Sequence, residues 1–129
     1  MLVEEIMIKE NLVSISPMAP LKDAIKLMKE HKVKSVIVQK MRAEDAYGIL
    51  TYKSILSSIV AEDGDIDLLN VYDVYTKPAI QLSKELDIKY AAQMMIKNGI
   101  KRILVIDNNQ LEGLVTMSDI VGFLMDDIE

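Results

Sequence analysis

The stretch Gly99-Ile100-Lys101-Arg102-Ile103-Leu104-Val105-Ile106-Asp107, with Gly113-Leu114-Val115-Thr116-Met117-Ser118-Asp119-Ile120 after it, decides the fold. Ile103-Leu104-Val105-Ile106 is a continuous apolar run, the pattern of a strand covered on both faces. Asp107-Asn108-Asn109-Gln110 is made of residues that tolerate tight turns, so it reads as a hairpin connection to a strand ending at Thr116. The same arrangement occurs earlier in the chain. Val36-Ile37-Val38 precedes Ile103-Leu104-Val105 by 67 positions. That offset also pairs Ala24 with Ala91, Met28 with Met95, Val13 with Ile80 and Ile15 with Leu82. Gly48-Ile49-Leu50-Thr51 matches Gly113-Leu114-Val115-Thr116 at an offset of 65, so the first copy carries two more residues between its strands. They fall in the polar stretch 40–47, where an insertion costs little.

Working outward, Val3-Glu4-Glu5-Ile6-Met7 resembles Val71-Tyr72-Asp73-Val74-Tyr75 and gives each copy a short helical lead-in. The copies are expected at 1–62 and 63–129, joined in the acidic, Gly-containing turn Glu62-Asp63-Gly64-Asp65. Within each, a short strand (12–15; 79–82) leads into a helix. Its apolar face is Ala24, Ile25, Leu27 and Met28 in the first copy, and Ala91, Ala92, Met94 and Met95 in the second. Two strands and a second helix follow. The predicted fold class is α/β: two tandem β-α-β-β-α repeats packed sheet to sheet as one pseudo-two-fold module. One repeat of about 60 residues is too small for a secure core.

Composition removes whole classes of function. The 129 residues carry 15 Lys and Arg against 20 Asp and Glu, a net charge of −5. A duplex-binding surface, which depends on basic side chains, is not expected. Cysteine is absent, which excludes disulfides, thiolate catalysis and Cys-type zinc sites. His31 is the single histidine, so a multi-histidine metal site cannot be built within one chain, and a Ser-His-Asp set would need a second partner for His31. P-loop and Rossmann glycine patterns are missing. The chain is read as non-enzymatic. With no signal-peptide pattern and no apolar run of the roughly 18–20 residues a span requires, the expected setting is the cytoplasm.

The strings Gly-Ile-Lys-Arg-Ile-Leu-Val-Ile-Asp (99–107) and Gly-Leu-Val-Thr-Met-Ser-Asp-Ile (113–120), behind Val-Tyr-Asp-Val-Tyr (71–75), resemble a CBS domain. The first copy fits with lower fidelity. Together they resemble a CBS domain pair, or Bateman module, over nearly the whole chain. The resemblance implies a regulatory module with no required cofactor. Such a module holds an adenosine compound (AMP, ADP, ATP or S-adenosylmethionine) between its repeats, associates as a homodimer, and acts on a separate regulated protein. A ligand-free interaction module is the alternative. Neither nucleic acid nor membrane is an expected partner.

The candidate ligand residues are Thr76, Ile80, Ile100, Lys101, Arg102, Thr116, Ser118 and Asp119. The Asp119 carboxylate can accept from both hydroxyls of a ribose, as acidic residues do in dinucleotide folds. The Thr116 hydroxyl and the amides at the following helix start can meet a phosphate, with Ser118 in support. Thr-x-x-Asp is equally a helix cap, and both roles can coexist. By the resemblance, Thr76 and Ile80, then Ile100 and Lys101, line the adenine. As plain structure, Ile80 and Ile100 are core and Thr76 is a turn residue. Lys101, Arg102 and, from the first copy, Lys34 are candidate phosphate cations, or solvated surface charges. The first copy keeps Thr51 but has Ser54 where Asp119 stands, and Lys53 beside it would favour an anion. One good nucleoside site per chain is therefore expected. His31 reads as a helix C-terminal dipole partner. Glu62, Asp63, Asp65 and Asp67 lack the pattern of a calcium loop and read as a solvated linker. The helices expected at 53–61 and 117–125 are the predicted dimer surface.

Overall fold

Each apolar tripeptide becomes the central strand of a three-stranded sheet. The computed structural model describes residues 1–77, 79–126 and 128. The first sheet holds β1 (Ser14–Ile15), β2 (Ser35–Val38) and β3 (Gly48–Thr51) in that order. β1 runs parallel to β2, and β2 runs antiparallel to β3. The second sheet repeats this with β4 (Gln81–Leu82), β5 (Arg102–Asp107) and β6 (Gln110–Thr116). The outer parallel strands are shorter than the sequence suggests. Their pairing nonetheless begins earlier, because Ile37 N–H donates to Val13 O at 2.9 Å and Leu104 N–H to Ile80 O at 3.0 Å.

The parallel strands need crossover helices. These are α2 (Leu21–His31) and α4 (Ile88–Asn98). Leu21, Ala24 and Met28 are buried on α2, and Ile88, Ala91 and Met95 on α4, at the predicted spacing. Both helices end on a left-handed residue, Gly99 (φ 63°) after α4 and Lys32 (φ 55°) after α2. His31 lies in the last turn of α2, as expected of a dipole partner. The β5–β6 connection is the two-residue turn read from the sequence. Asn108 (φ 49°) and Asn109 (φ 61°) are both left-handed, which matches the right-handed twist of the strands.

The helices after the last strands differ. α5 (Met117–Asp126) is regular, whereas α3 spans only Tyr52–Leu56 before widening into a π-helical turn, Ser57–Ala61. The single helix expected over 53–61 is therefore two pieces. Among the described residues no helix is long and apolar enough to cross a membrane.

The lead-ins, α1 (Val3–Ile6) and a 3₁₀ turn (Val71–Asp73), are exchanged. One compact unit is Val13–Ala79; the other joins Met1–Leu12 to Ile80–Glu129. The sequence copies thus share their sheets and crossover helices with the compact units, but each lead-in packs on the other copy's sheet. In the second unit Ile8 N–H donates to Leu114 O at 2.8 Å, and Leu114 N–H to Ile8 O at 3.0 Å. Fully buried Val3 joins the core of Leu82, Ile103, Val105 and Val115. In the first unit Ile49 and Thr76 exchange the matching pair of bonds, and buried Val71 and Val74 join Ile15, Val36, Val38 and Leu50.

A glycine makes each seat. A Cβ on Gly113 would stand 2.7 Å from Ile8 O, and one on Gly48 would meet the Tyr75 ring and stand 2.9 Å from Thr76 O. Only a residue without a side chain lets the backbones approach so closely.

Candidate functional site

Thr116 is the last residue of β6 and sits opposite Arg102, the first of β5. The chain turns directly into α5, so the first amides of that helix need partners. Asp119 N–H donates to Thr116 Oγ1 at 3.1 Å, which is the helix cap foreseen for Thr-x-x-Asp. The Thr116 hydroxyl then donates its proton to Asp119 Oδ2 at 2.7 Å. One threonine oxygen therefore caps the helix and fixes the carboxylate rotamer together. Asp119 is half-buried and Ser118 is exposed. Met117 N–H donates to Lys101 O at 2.8 Å, which draws the entry of β5 against the start of α5. That bond involves backbone alone and has no signature in the residue types.

Lys101, Arg102, Thr116, Ser118 and Asp119 are thus gathered at one end of the β5–β6 ladder. Lys101 is exposed; Arg102 is half-buried and takes part in an interaction of its own. Ile80 and Ile100 are half-buried and pack against the core of this unit, the plain reading given to them above. Thr76 belongs to the unit Val13–Ala79, where it pairs with Ile49, and so is not gathered with the others in one unit.

The equivalent corner of the first unit is closed on itself. Ser54 N–H donates to Thr51 Oγ1 at 3.3 Å, Thr51 N–H donates to Ser54 Oγ at 3.1 Å, and the Ser54 hydroxyl donates to Thr51 O at 3.0 Å. This is a reciprocal capping box built with serine in place of the usual acid. A recess of about 290 Å³ lies elsewhere in this unit, lined by Ile25, Met28, Lys29, Tyr52 and Ile55. It is apolar and lacks the converging polar groups that orient a nucleoside. Leu56 (62% exposed) and Val60 (67%) lie just beyond it along the chain. Among the described residues no group of three or more acidic or histidine side chains is placed to hold a metal ion, the linker acids included.

Residues 3–61 and 71–126 both match the CBS domain family. The chain belongs to that family and is a CBS domain pair, a class of module that is commonly regulatory and not catalytic. It is 30% identical over 129 residues to an uncharacterised 33.4 kDa protein of Thermofilum pendens, covering 92% of this chain and 42% of the relative. It is 30% identical over 102 residues to the mitochondrial CBS domain-containing protein CBSX3 of Arabidopsis thaliana, covering 77% and 50%. The chain therefore spans about half the length of these curated relatives or less. Its fold matches that of a hexameric CBS-CP12 protein from bloom-forming cyanobacteria, with a TM-score of 0.88 and 32% identity, covering 100% of this chain and 76% of that one.

Proposed function

We propose that the chain is a cytoplasmic sensor that binds an adenosine compound (AMP, ADP, ATP or S-adenosylmethionine) and biases a separate partner protein. The observation that carries this is the Thr116–Asp119 pair. It holds a half-exposed carboxylate in one rotamer with a single hydroxyl on Oδ2. A carboxylate has about four lone-pair sites, so it can accept a diol as well. A ligand that binds one conformation better shifts the population toward it, and the partner reads that shift. Calorimetry on Asp119→Ala tests the reading. Loss of charge-assisted bonds worth about 1.5–3 kcal/mol each should weaken binding at least tenfold. Ser54→Ala should leave affinity unchanged. Wild-type affinity in Asp119→Ala, or greater damage from Ser54→Ala, would overturn the assignment.

Self-association is part of the proposal. Leu56 and Val60 on α3 and the π turn, in one unit, and Val121 and Leu124 on α5, in the other, are exposed apolar side chains of the kind that meet a second copy across a two-fold axis. The hexameric relative supports assembly in this family. Sedimentation showing only a 14.5 kDa species at micromolar protein would refute it. The same surface favours the second reading, a ligand-free interaction module. A thermal-shift panel with AMP, ADP, ATP, S-adenosylmethionine and GTP at millimolar concentration separates the two, because binding raises apparent stability.

A further inference from the structure

We infer that the helix after β3 is a two-register element: its π turn packs Ile59 on the core, and an α register releases Ile59 beside Leu56 to meet a second copy. The last step rests on the self-association proposed above. The repeat supplies the comparison. Carried on from Thr51 and Thr116, the offset of 65 sets Ile55 against Ile120, Ser58 against Phe123 and Ile59 against Leu124. In the regular helix α5, Ile120 and Phe123 pack on the core, and Leu124 is 53% exposed. Ile120 and Phe123 are three positions apart, on one face of an α-helix. The first unit has a serine where that face carries Phe123. There Ile55 and Ile59 pack on the core instead. The widened turn makes this possible. Glu62 N–H donates to Ser57 O, five residues back, at 2.9 Å. Each residue of such a turn advances less around the axis than in an α-helix, so Ile59, one position after Ser58, is carried toward the core.

Opposing terms balance the two registers. The π register covers an isoleucine, which removes apolar area from water. It is the rarer geometry, and its exit is tight. Asp63 is left-handed (φ 57°), and Gly64 N–H donates to Ser58 O at 2.8 Å. A Cβ on Gly64 would stand 2.6 Å from that oxygen, so this closure needs glycine. The α register exchanges Ser57 O for Ser58 O as the acceptor of Glu62 N–H, gives up the Gly64 bond and frees Ile59. Leu56 and Ile59 then match Val121 and Leu124, the exposed pair on α5. A second copy that takes up Ile59 binds the α register alone, and so draws the helix into it.

Ser58→Phe, and the milder Ser58→Leu, give the α register the side chain its inner face lacks. NMR couplings across hydrogen bonds identify the acceptor of Glu62 N–H, and sedimentation equilibrium on the same samples measures association. Dilute wild-type protein should couple Glu62 to Ser57. Both variants should couple it to Ser58, with faster amide exchange at Gly64. A register populated at about 10% or less in the free chain, once made dominant, should tighten self-association about tenfold or more. A folded variant that keeps the Ser57 coupling overturns the inference, and so does a wild type that associates as tightly as the variants. If neither wild type nor variants associate, the self-association reading falls and takes the inference with it.

Discussion

Lys77 Nζ lies 2.6 Å from Asp45 Oδ1 and ties the stretch between β2 and β3 to the segment that ends the first unit. Ala79 N–H donates to Tyr47 O at 2.9 Å beside it. Two residues distant in sequence therefore hold the polar insertion of the first copy in place.

This pair sets a first prediction. The hydrogen bond from Lys77 and the backbone amide of Ala46 hold the Asp45 carboxyl at about 2, below its ordinary 3.8. A carboxyl lowered by folding stabilises the fold above its unfolded pKa, and that contribution is lost as pH falls from about 4 to about 2. In Lys77→Ala, Asp45 should titrate closer to its ordinary value, returning only part of the way because the Ala46 amide remains. NMR titration of the Asp45 side chain measures it. An unchanged midpoint would mean the ion pair does not form in solution.

The cap at α5 divides two effects that one substitution would confuse. Thr116→Ala removes the acceptor for Asp119 N–H and should lower ligand-free stability by about 1 kcal/mol. Asp119→Ala leaves that cap intact and should cost less. Urea unfolding of both variants decides it, and a larger loss in Asp119→Ala would show that the carboxylate is itself structural.

Gly113→Ala and Gly48→Ala put a Cβ where the exchanged lead-in passes. Backbone atoms must shift, so each change should cost about 1–3 kcal/mol, the usual range for overpacking. Amide exchange at Ile8 should rise in Gly113→Ala, and at Thr76 in Gly48→Ala. If either variant keeps wild-type stability and protection, the corresponding seat is looser than described.

Lys32 holds the left-handed position that Gly99 fills in the second repeat. A side chain there costs about 1–2 kcal/mol, and glycine returns about 0.5–1 through the freedom it loses on folding. Lys32→Gly should therefore stabilise the chain by about 0.5–1 kcal/mol. Thermal unfolding giving a lower midpoint would contradict this.

Much of this architecture is legible from residue types. The offset of 67, the helix faces at Ala24 and Ala91, and the Asn108-Asn109 turn each depend on local pattern, and local pattern survives in the fold. The lead-in exchange was hidden because the two lead-ins are alike and the seats at Gly48 and Gly113 are alike; periodicity cannot say which goes with which. The stretch 40–47 reads as an open loop because the lysine that anchors it is 32 positions beyond Asp45. At the candidate site, Thr116 and Asp119 announce themselves by spacing. Met117 N–H on Lys101 O does not, since any two residues could supply those atoms.

The exchange also fixes an order of events during synthesis. Everything the Val13–Ala79 unit needs has been made once residue 79 has left the ribosome. The other unit needs both ends of the described chain. Val3 shares its core with Ile103 and Val115, which are made about a hundred positions later. Its natural cover does not exist while the first sheet forms. Transiently exposed apolar segments of this kind are where nascent chains go astray. Apolar side chains made before the first sheet are sheltered only once the second sheet is complete.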